Sequence, residues 1–396
     1  MTGARLRWLA IAVFVLSSSL NYLDRLLLAA LAPTIKREFL LDNREYGYVL
    51  SAFALVYAVL APVAGWLIDR VGLNTGITVS MALWSLAGMA TGWTRSLAGL
   101  LSSRTVLGIA ESAGIPCTGK ANALYLPPSE LALGTALNQV GITIGSVAAP
   151  LMVAWLAVAY GWRSTFVVSG ALGFLWIPLW WITAKFAGGD RKLEEIHPKS
   201  LPIRAILKDR RLWGLAIANA LIMSVYTLWT NWTTVFFVEQ HHLSEIAANR
   251  QFAWIPPIFA TFGGFFGGWL AFFWIRRGAG VFTARMRLCW IGGVLLLTTA
   301  IVPLMHSAAL AAAVISLSFF WCLSISTNLY AMPIDFFGAG RAAFSVSVLT
   351  CSYGLAQTVL SPLIGRVVDQ FGFAGVCVGV AALPLAGVAV LQFTGR

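Results

Sequence analysis

Apolar runs of about 20 residues alternate with short polar interruptions along the whole chain. A helix rising 1.5 Å per residue needs roughly 20 residues to cross about 30 Å of hydrocarbon, so each run predicts one crossing. The pattern predicts spans over 8–32, 46–68, 74–93, 97–124, 132–158, 163–185, 212–238, 251–275, 285–304, 308–333, 342–365 and 371–392. The one long polar stretch, 186–211, is rich in Lys, Arg and Glu and holds two prolines. It divides the chain into an N-terminal six-helix bundle (1–185), a cytoplasmic linker (186–211) and a C-terminal six-helix bundle (212–396). The halves are weakly similar. Gly65-Trp66-Leu67 is matched by Gly268-Trp269-Leu270, and Ala149-Pro150-Leu151 with Tyr160-Gly161-Trp162 by Ser361-Pro362-Leu363 with Phe371-Gly372-Phe373. The expected fold is all-α and membrane-integral, with two bundles related by a pseudo-two-fold axis. Repeated halves of this kind are a transporter architecture.

Composition agrees with the pattern. Of 396 residues, 59% are hydrophobic and 11% charged, with a mean hydropathy of +0.81; soluble domains carry about 25% charged residues. The net charge of +12 does not point to nucleic acid, because the cations are sorted by side. Of 27 Lys and Arg, Arg25 and Arg104 lie inside spans, and Lys36, Arg37, Arg44, Arg95, Arg163, Arg250 and Arg366 fall in loops of one side. The other eighteen fall on the opposite side. By the positive-inside rule both termini are cytoplasmic, and a bacterial inner membrane is the expected location. The first run is too long for a signal peptide, contains Asp24-Arg25 and lacks a small-residue cleavage site. Cys117, Cys289, Cys322, Cys351 and Cys377 are scattered among apolar runs with no metal-ligand spacing. His241-His242, near Glu239 and Glu245, reads as a solvated outer loop, and the sequon at Asn231 lies within a span. No HExxH, nucleophile or phosphate-loop motif is present, so an enzyme is not expected.

Charges inside the spans carry the functional signal. Each ion at bilayer depth costs at least ~2.5–3.5 kcal/mol on insertion scales. Asp24 and Arg25 in the first span and Arg104 and Glu111 in the fourth therefore face a polar path or one another. Arg104 and Glu111, seven apart, share a helix face over ~10.5 Å. Asp24 and Arg25 point about 100° apart, so one can face the path while the other reaches a neighbouring helix. A helix-packing ion network is the alternative role. Arg suits a carboxylate because its planar fork donates two parallel hydrogen bonds and stays charged.

Gly65-Trp66-Leu67-Ile68-Asp69-Arg70-Val71-Gly72 resembles the loop motif of the major facilitator superfamily, with Leu73 and Asn74 replacing its second basic pair. Ala271 and Phe272 follow the second Gly-Trp-Leu where an acid is common, so an ionic latch is expected in the N-half alone. Asn21-Tyr22-Leu23-Asp24-Arg25 is similar to the N-Y-x-D-R signature of the anion:cation symporter family. Residues 104–116, Arg-Thr-Val-Leu-Gly-Ile-Ala-Glu-Ser-Ala-Gly-Ile-Pro, resemble that family's R-x-x-x-G-x-x-E-x-x-x-x-P. Lys120, Pro127-Pro128-Ser129-Glu130, Asn328-Leu329-Tyr330 and Pro333-Ile334-Asp335 are also family-like. The branch carries hexuronates, galactonate and other organic anions, and sialin and the vesicular glutamate carriers are its relatives.

The resemblance implies the major facilitator fold and proton-coupled symport of an organic anion, a sugar acid foremost, by alternating access. Arg25 is implied in anion binding, with Tyr22 and Tyr57 beside it. Asp24 and Glu111 carry coupling protons, Arg104 senses Glu111, and Asp69, Arg70 and Glu130 serve gating. Gln139, with Asn138, is a partner for sugar hydroxyls or for a neighbouring helix. Asn231, Trp232, Trp321, Asn328, Tyr353 and Gln357 are neutral readers of hydroxyls or packing residues. No cofactor or metal is implied, only protons, with sodium the rival ion. The partners are a small organic anion and the lipid bilayer, without nucleic acid, and the working unit is a monomer. A monocarboxylate carrier or an exchanger is the rival transport reading. Facing arginines suited to an organophosphate are missing from the seventh span. A membrane sensor that moves no solute is the rival from another class.

Overall fold

The structure, a computed structural model, describes residues 3–127, 130–187 and 203–395. Pro128, Ser129, Arg396 and most of the expected linker, including Arg191, Lys192 and Lys199, lie outside the described residues. The first half contains α1 (Gly3–Ala30), α2 (Ala32–Phe39), α3 (Asn43–Val71), α4 (Leu73–Trp93), α5 (Leu97–Glu111), α6 (Gly114–Tyr125), α7 (Leu131–Met152), α8 (Val158–Tyr160) and α9 (Trp162–Phe186). The second contains α10 (Ile203–Lys208), α11 (Arg210–His241), α12 (Glu245–Ala248), α13 (Ile255–Arg276), α14 (Val281–Leu295), α15 (Ala308–Phe337) and α16 (Ala339–Thr394). No strand occurs among the described residues.

Nine helical segments of the described residues are long and apolar enough to cross a membrane. The last contains two of the expected spans, joined at Gly372, and α4 and the α5–α6 pair stand at two more, consistent with twelve. Gly372 has φ 66° and Gly161 has φ 80°, a left-handed backbone that glycine adopts without steric cost. These are the glycines of the repeated Tyr-Gly-Trp and Phe-Gly-Phe, so the internal similarity marks two equivalent helix reversals.

The span expected over 97–124 is two helices broken at Ser112 and Ala113. Pro116 explains the break, because its ring lacks an N–H and crowds the carbonyl four residues back, that of Ser112. α11 runs to His241, and His242 closes it with φ 53°. At the start of α11 the Asp209 carboxylate accepts hydrogen bonds from the Arg211 amide at 2.8 Å and its guanidinium at 2.7 Å. The side-chain bond from Arg211 holds the Asp209 carboxyl below its ordinary range.

Packing divides the chain into two compact units: Met1–Leu41, Ala52–Glu195 and Glu245–Trp254 form one, and Asp42–Ser51, Ile196–Ser244 and Ile255–Arg396 the other. Residues 245–254 thus pack with the first unit and 42–51 with the second. In the first unit Glu245 accepts from the Thr34 amide at 2.7 Å, near the start of α2, and Asn249 Nδ2 donates to the Ala30 carbonyl at 2.8 Å. In the second, Asp369 accepts from the Asn43 and Arg44 amides at 3.2 and 3.1 Å, at the start of α3, and Tyr46 donates to the Asn231 carbonyl at 3.3 Å. Amides in a first helical turn lack intrahelical acceptors, so each carboxylate satisfies groups its own half leaves open.

The first unit packs an aromatic core in which Trp176 and Trp180 stack at 5.6 Å, with Phe14 edge-on to Trp180 at 5.1 Å. Leu55, Val59, Val63 and Trp66 of α3 are exposed at helical spacing, while Phe53, Ala54, Tyr57 and Ala58 are buried. Such an apolar stripe suits hydrocarbon rather than water.

Without water between helices, association depends on close packing of small residues. Gly141 and Gly145 of α7 face Val15 and Ser19 of α1, and a Cβ on Gly145 would lie 2.0 Å from the Ser19 carbonyl oxygen. Gly119 has nothing within 4 Å of that position. Gly145→Ala is therefore expected to destabilise by about 1–3 kcal/mol, the usual cost of overpacking, and Gly119→Ala to be neutral or slightly stabilising. Melting temperatures in detergent check this; equal values for the two variants would refute the close α1–α7 approach.

Candidate functional site

Arg25 and Glu111 form the centre of the polar cluster in the first unit. Arg25 Nε donates to Glu111 Oε2 at 2.7 Å; the Glu111 side chain is 0% exposed and that of Arg25 18%. Three rings wrap the guanidinium, with its carbon 4.2 Å from the Tyr57 ring centre, 4.9 Å from Phe53 and 5.2 Å from Tyr22. A guanidinium over ring faces gains about 2 kcal/mol or more per contact when desolvated, and its N–H donors, lying in its own plane, stay directed at carboxylates.

Asp24, one residue earlier on α1, is turned onto another helix, as the 100° offset requires. It is buried and accepts a hydrogen bond from the Ser169 hydroxyl of α9. Arg104 is also buried and lies over Phe53 at 5.1 Å. Glu111 thus has Arg25 as an ion-pair partner at 2.7 Å, and Arg104 shares the Phe53 ring with Arg25. The glycine of the R-x-x-x-G-x-x-E motif has a packing reason. A Cβ on Gly108 would stand 2.7 Å from the Phe53 carbonyl oxygen, so its absence lets α5 lie against α3.

Sequence reasoning missed Phe53 and Ser169. Phe53 stands one helical turn before Tyr57, and that spacing is the signal it offered. Gln139 and Asn138 are half-buried on α7, and Asn138 accepts a hydrogen bond from Ser18.

The second-unit candidates stand on α11, α15 and α16. Trp232 is fully buried and edge-on to Tyr46 at 5.2 Å. Trp321 packs on Phe320 and Phe266 at 5.2 and 5.9 Å. Asn328 is fully buried, donates to the Gly267 and Ser324 carbonyls at 3.0 Å each, and accepts from Arg285 at 3.3 Å. Asn231 donates to the Thr227 carbonyl at 3.0 Å. Tyr353 and Gln357 lie half-buried one turn apart on α16.

At the positions expected to serve gating, Asp69 pairs with Lys120 at 3.1 Å, and Lys120 also donates to the Ile68 carbonyl at 2.9 Å. Arg70 lies over the Trp66 ring at 4.0 Å. Glu130 precedes α7 with a buried Oε2 that has no hydrogen-bond partner among the described residues. The second unit also holds an ion pair near this level of the sequence pattern. Arg285 and Asp335 pair at 2.7 Å in the second unit, the acid standing on α15 rather than after Gly-Trp-Leu.

Residues 14–356 match the Major Facilitator Superfamily. The chain belongs to that superfamily. It is 30% identical over 405 residues to the hexuronate transporter of Escherichia coli (strain K12), covering 98% of this chain and 93% of that one. It is likewise 30% identical over 283 residues to the galacturonate transporter of Dickeya chrysanthemi, covering 67% and 81%. Among solved structures, a bacterial homolog of the human lysosomal transporter Spinster superposes with a TM-score of 0.77 at 21% identity, over 98% of this chain and 95% of that one, a likeness of fold. The protein is an integral membrane transporter and not an enzyme.

Removing one partner of a buried ion pair leaves an uncompensated charge and costs about 3–5 kcal/mol, whereas replacing both with apolar side chains costs far less. Arg25→Met is expected to lower the transporter's melting temperature by several degrees more than Arg25→Met with Glu111→Leu. Equal losses would show that the pair contributes nothing to the fold.

Proposed function

We propose that the protein is a proton-coupled symporter of sugar-acid monoanions, hexuronates foremost, working by alternating access. The observation that carries this reading is the Arg25–Glu111 pair: a partly accessible guanidinium occupied by a fully buried carboxylate of the protein itself. Glu111 takes the Nε of that guanidinium, and a substrate carboxylate that binds the same group competes with it. Protonating Glu111 removes its charge and weakens that hold, so a proton and an anion enter together.

Charge balance supports the same stoichiometry. Asp24, Arg25, Arg104 and Glu111 sum to zero when ionised. A monoanion adds one negative charge, and one proton on Asp24 or Glu111 restores neutrality. The hexuronate and galacturonate carriers to which the chain is similar, and a D-galactonate transporter of Escherichia coli 24% identical over 415 residues, support a sugar acid. Tyr22 and Tyr57 flank the carboxylate, with Gln139, Asn231, Tyr353 and Gln357 carried forward for hydroxyls. Trp232, Trp321 and Asn328 are the weaker members of that set, since each has a packing or hydrogen-bonding task. Asp69, Arg70 and Glu130 are the gating residues. The sided basic loops support cytoplasmic termini in a bacterial inner membrane, and the working unit is a monomer.

Uptake of labelled D-galacturonate into proteoliposomes tests the reading. An inward proton gradient is expected to drive accumulation, a protonophore to collapse it, and replacement of sodium by choline to leave it unchanged. Arg25→Ala is expected to weaken substrate affinity about 100-fold or more, as truncating one partner of a buried charged pair does. Glu111→Gln is expected to keep galacturonate exchange and lose gradient-driven accumulation. Accumulation that needs sodium and ignores the protonophore would overturn proton coupling.

A further inference from the structure

We infer that Phe53 is a positioning residue, a single ring shared by the partly accessible Arg25 guanidinium and the buried Arg104 guanidinium, which keeps Arg25 in place while its carboxylate partner changes. This rests on the reading of Arg25 as the anion's ligand. Phe53 is 6% exposed, and its ring centre lies 4.9 Å from the Arg25 guanidinium carbon and 5.1 Å from that of Arg104. The two cations are therefore no farther apart than the sum of those distances, inside an apolar bundle where like charges repel strongly. The negative face potential of an aromatic ring attracts each of them, so a ring serving both offsets part of that repulsion.

The backbone fixes the ring there. Gly108 admits the Phe53 carbonyl against α5, with Arg104 one turn before it and Glu111 one turn after. Tyr57 stacks on Phe53 at 5.6 Å and 17°, which limits the ring's tilt. Ring contacts and carboxylate contacts use different parts of a guanidinium: the face meets the ring, the in-plane N–H groups meet the acid. When a substrate carboxylate replaces Glu111, Arg25 loses its ion-pair partner for a time but keeps its rings. A guanidinium held in this way binds the incoming anion without first being ordered. Phe53 contacts both Arg25 and Arg104, so altering it acts on both cations.

Fluorinated phenylalanines at position 53 separate this role from plain packing, because fluorine weakens the ring's face potential with little change in shape. Phe, 4-fluoro-, 3,5-difluoro- and 3,4,5-trifluorophenylalanine are placed at 53 in the full-length protein. D-Galacturonate affinity and maximal uptake rate are then measured, together with the melting temperature without substrate. Affinity is expected to fall stepwise to about 10-fold weaker at three fluorines, with the maximal rate nearly constant. The melting temperature is expected to fall in the same order, with a slope roughly halved in Arg104→Met protein. Phe53→Trp is expected to retain more affinity than Phe53→Leu. Affinity flat across the series would overturn the positioning role, and a melting slope unaffected by Arg104→Met would overturn the shared ring. Failure of the transport reading looks different: no sugar acid binds the unmodified protein, or Arg25→Ala binds as well, and the melting series alone then decides the ring contact.

Discussion

Charge cannot be left unanswered in hydrocarbon, and the Arg25–Glu111 contact is the place where this chain meets that constraint most directly. A carboxylate with no exposed surface is tolerable there because a guanidinium lies 2.7 Å away, and the guanidinium is tolerable because three rings surround it. The helices around the pair are arranged to allow this. α5 approaches α3 at a residue without a side chain, α1 presents two adjacent ions to different neighbours, and Pro116 breaks the fourth span just after the acid. Stability alone is a weak reason to keep such a pair. On the proposed reading, competition between an internal and an external carboxylate for one guanidinium gives it a use.

The sequence made these four ions legible because they are expensive. Asp24, Arg25, Arg104 and Glu111 stand out in an apolar chain, and the structure groups them within one unit. Neutral partners have no such visibility. Phe53 is one of 24 phenylalanines, and Ser169 is one small hydroxyl in a membrane helix, where serine usually bonds its own backbone. Their roles follow from which helices touch, which a single sequence does not display.

Other differences have equally local causes. The second unit's ion pair does not use an acid after Gly-Trp-Leu: Asp335 stands on α15 and pairs with Arg285. Asn328 carries a family-like pattern yet is occupied by two carbonyls and a guanidinium, a hydrogen-bonding demand that composition does not reveal. The span over 97–124 was read as continuous because hydropathy ignores the steric effect of a proline. The repeated Tyr-Gly-Trp and Phe-Gly-Phe were visible as similarity, and their backbone geometry explains why glycine recurs.

The two exchanged segments bear on how the polypeptide is assembled. Residues 245–254 belong by packing with the first half, and 42–51 with the second. A chain cut between 186 and 203 would give an amino-terminal piece whose Thr34 amide and Ala30 carbonyl lack Glu245 and Asn249. The carboxy-terminal piece would hold Asp369 with no amides to cap. Each piece alone leaves these polar groups without the partners they have in the whole chain, so the early helices gain those partners when the later ones are inserted.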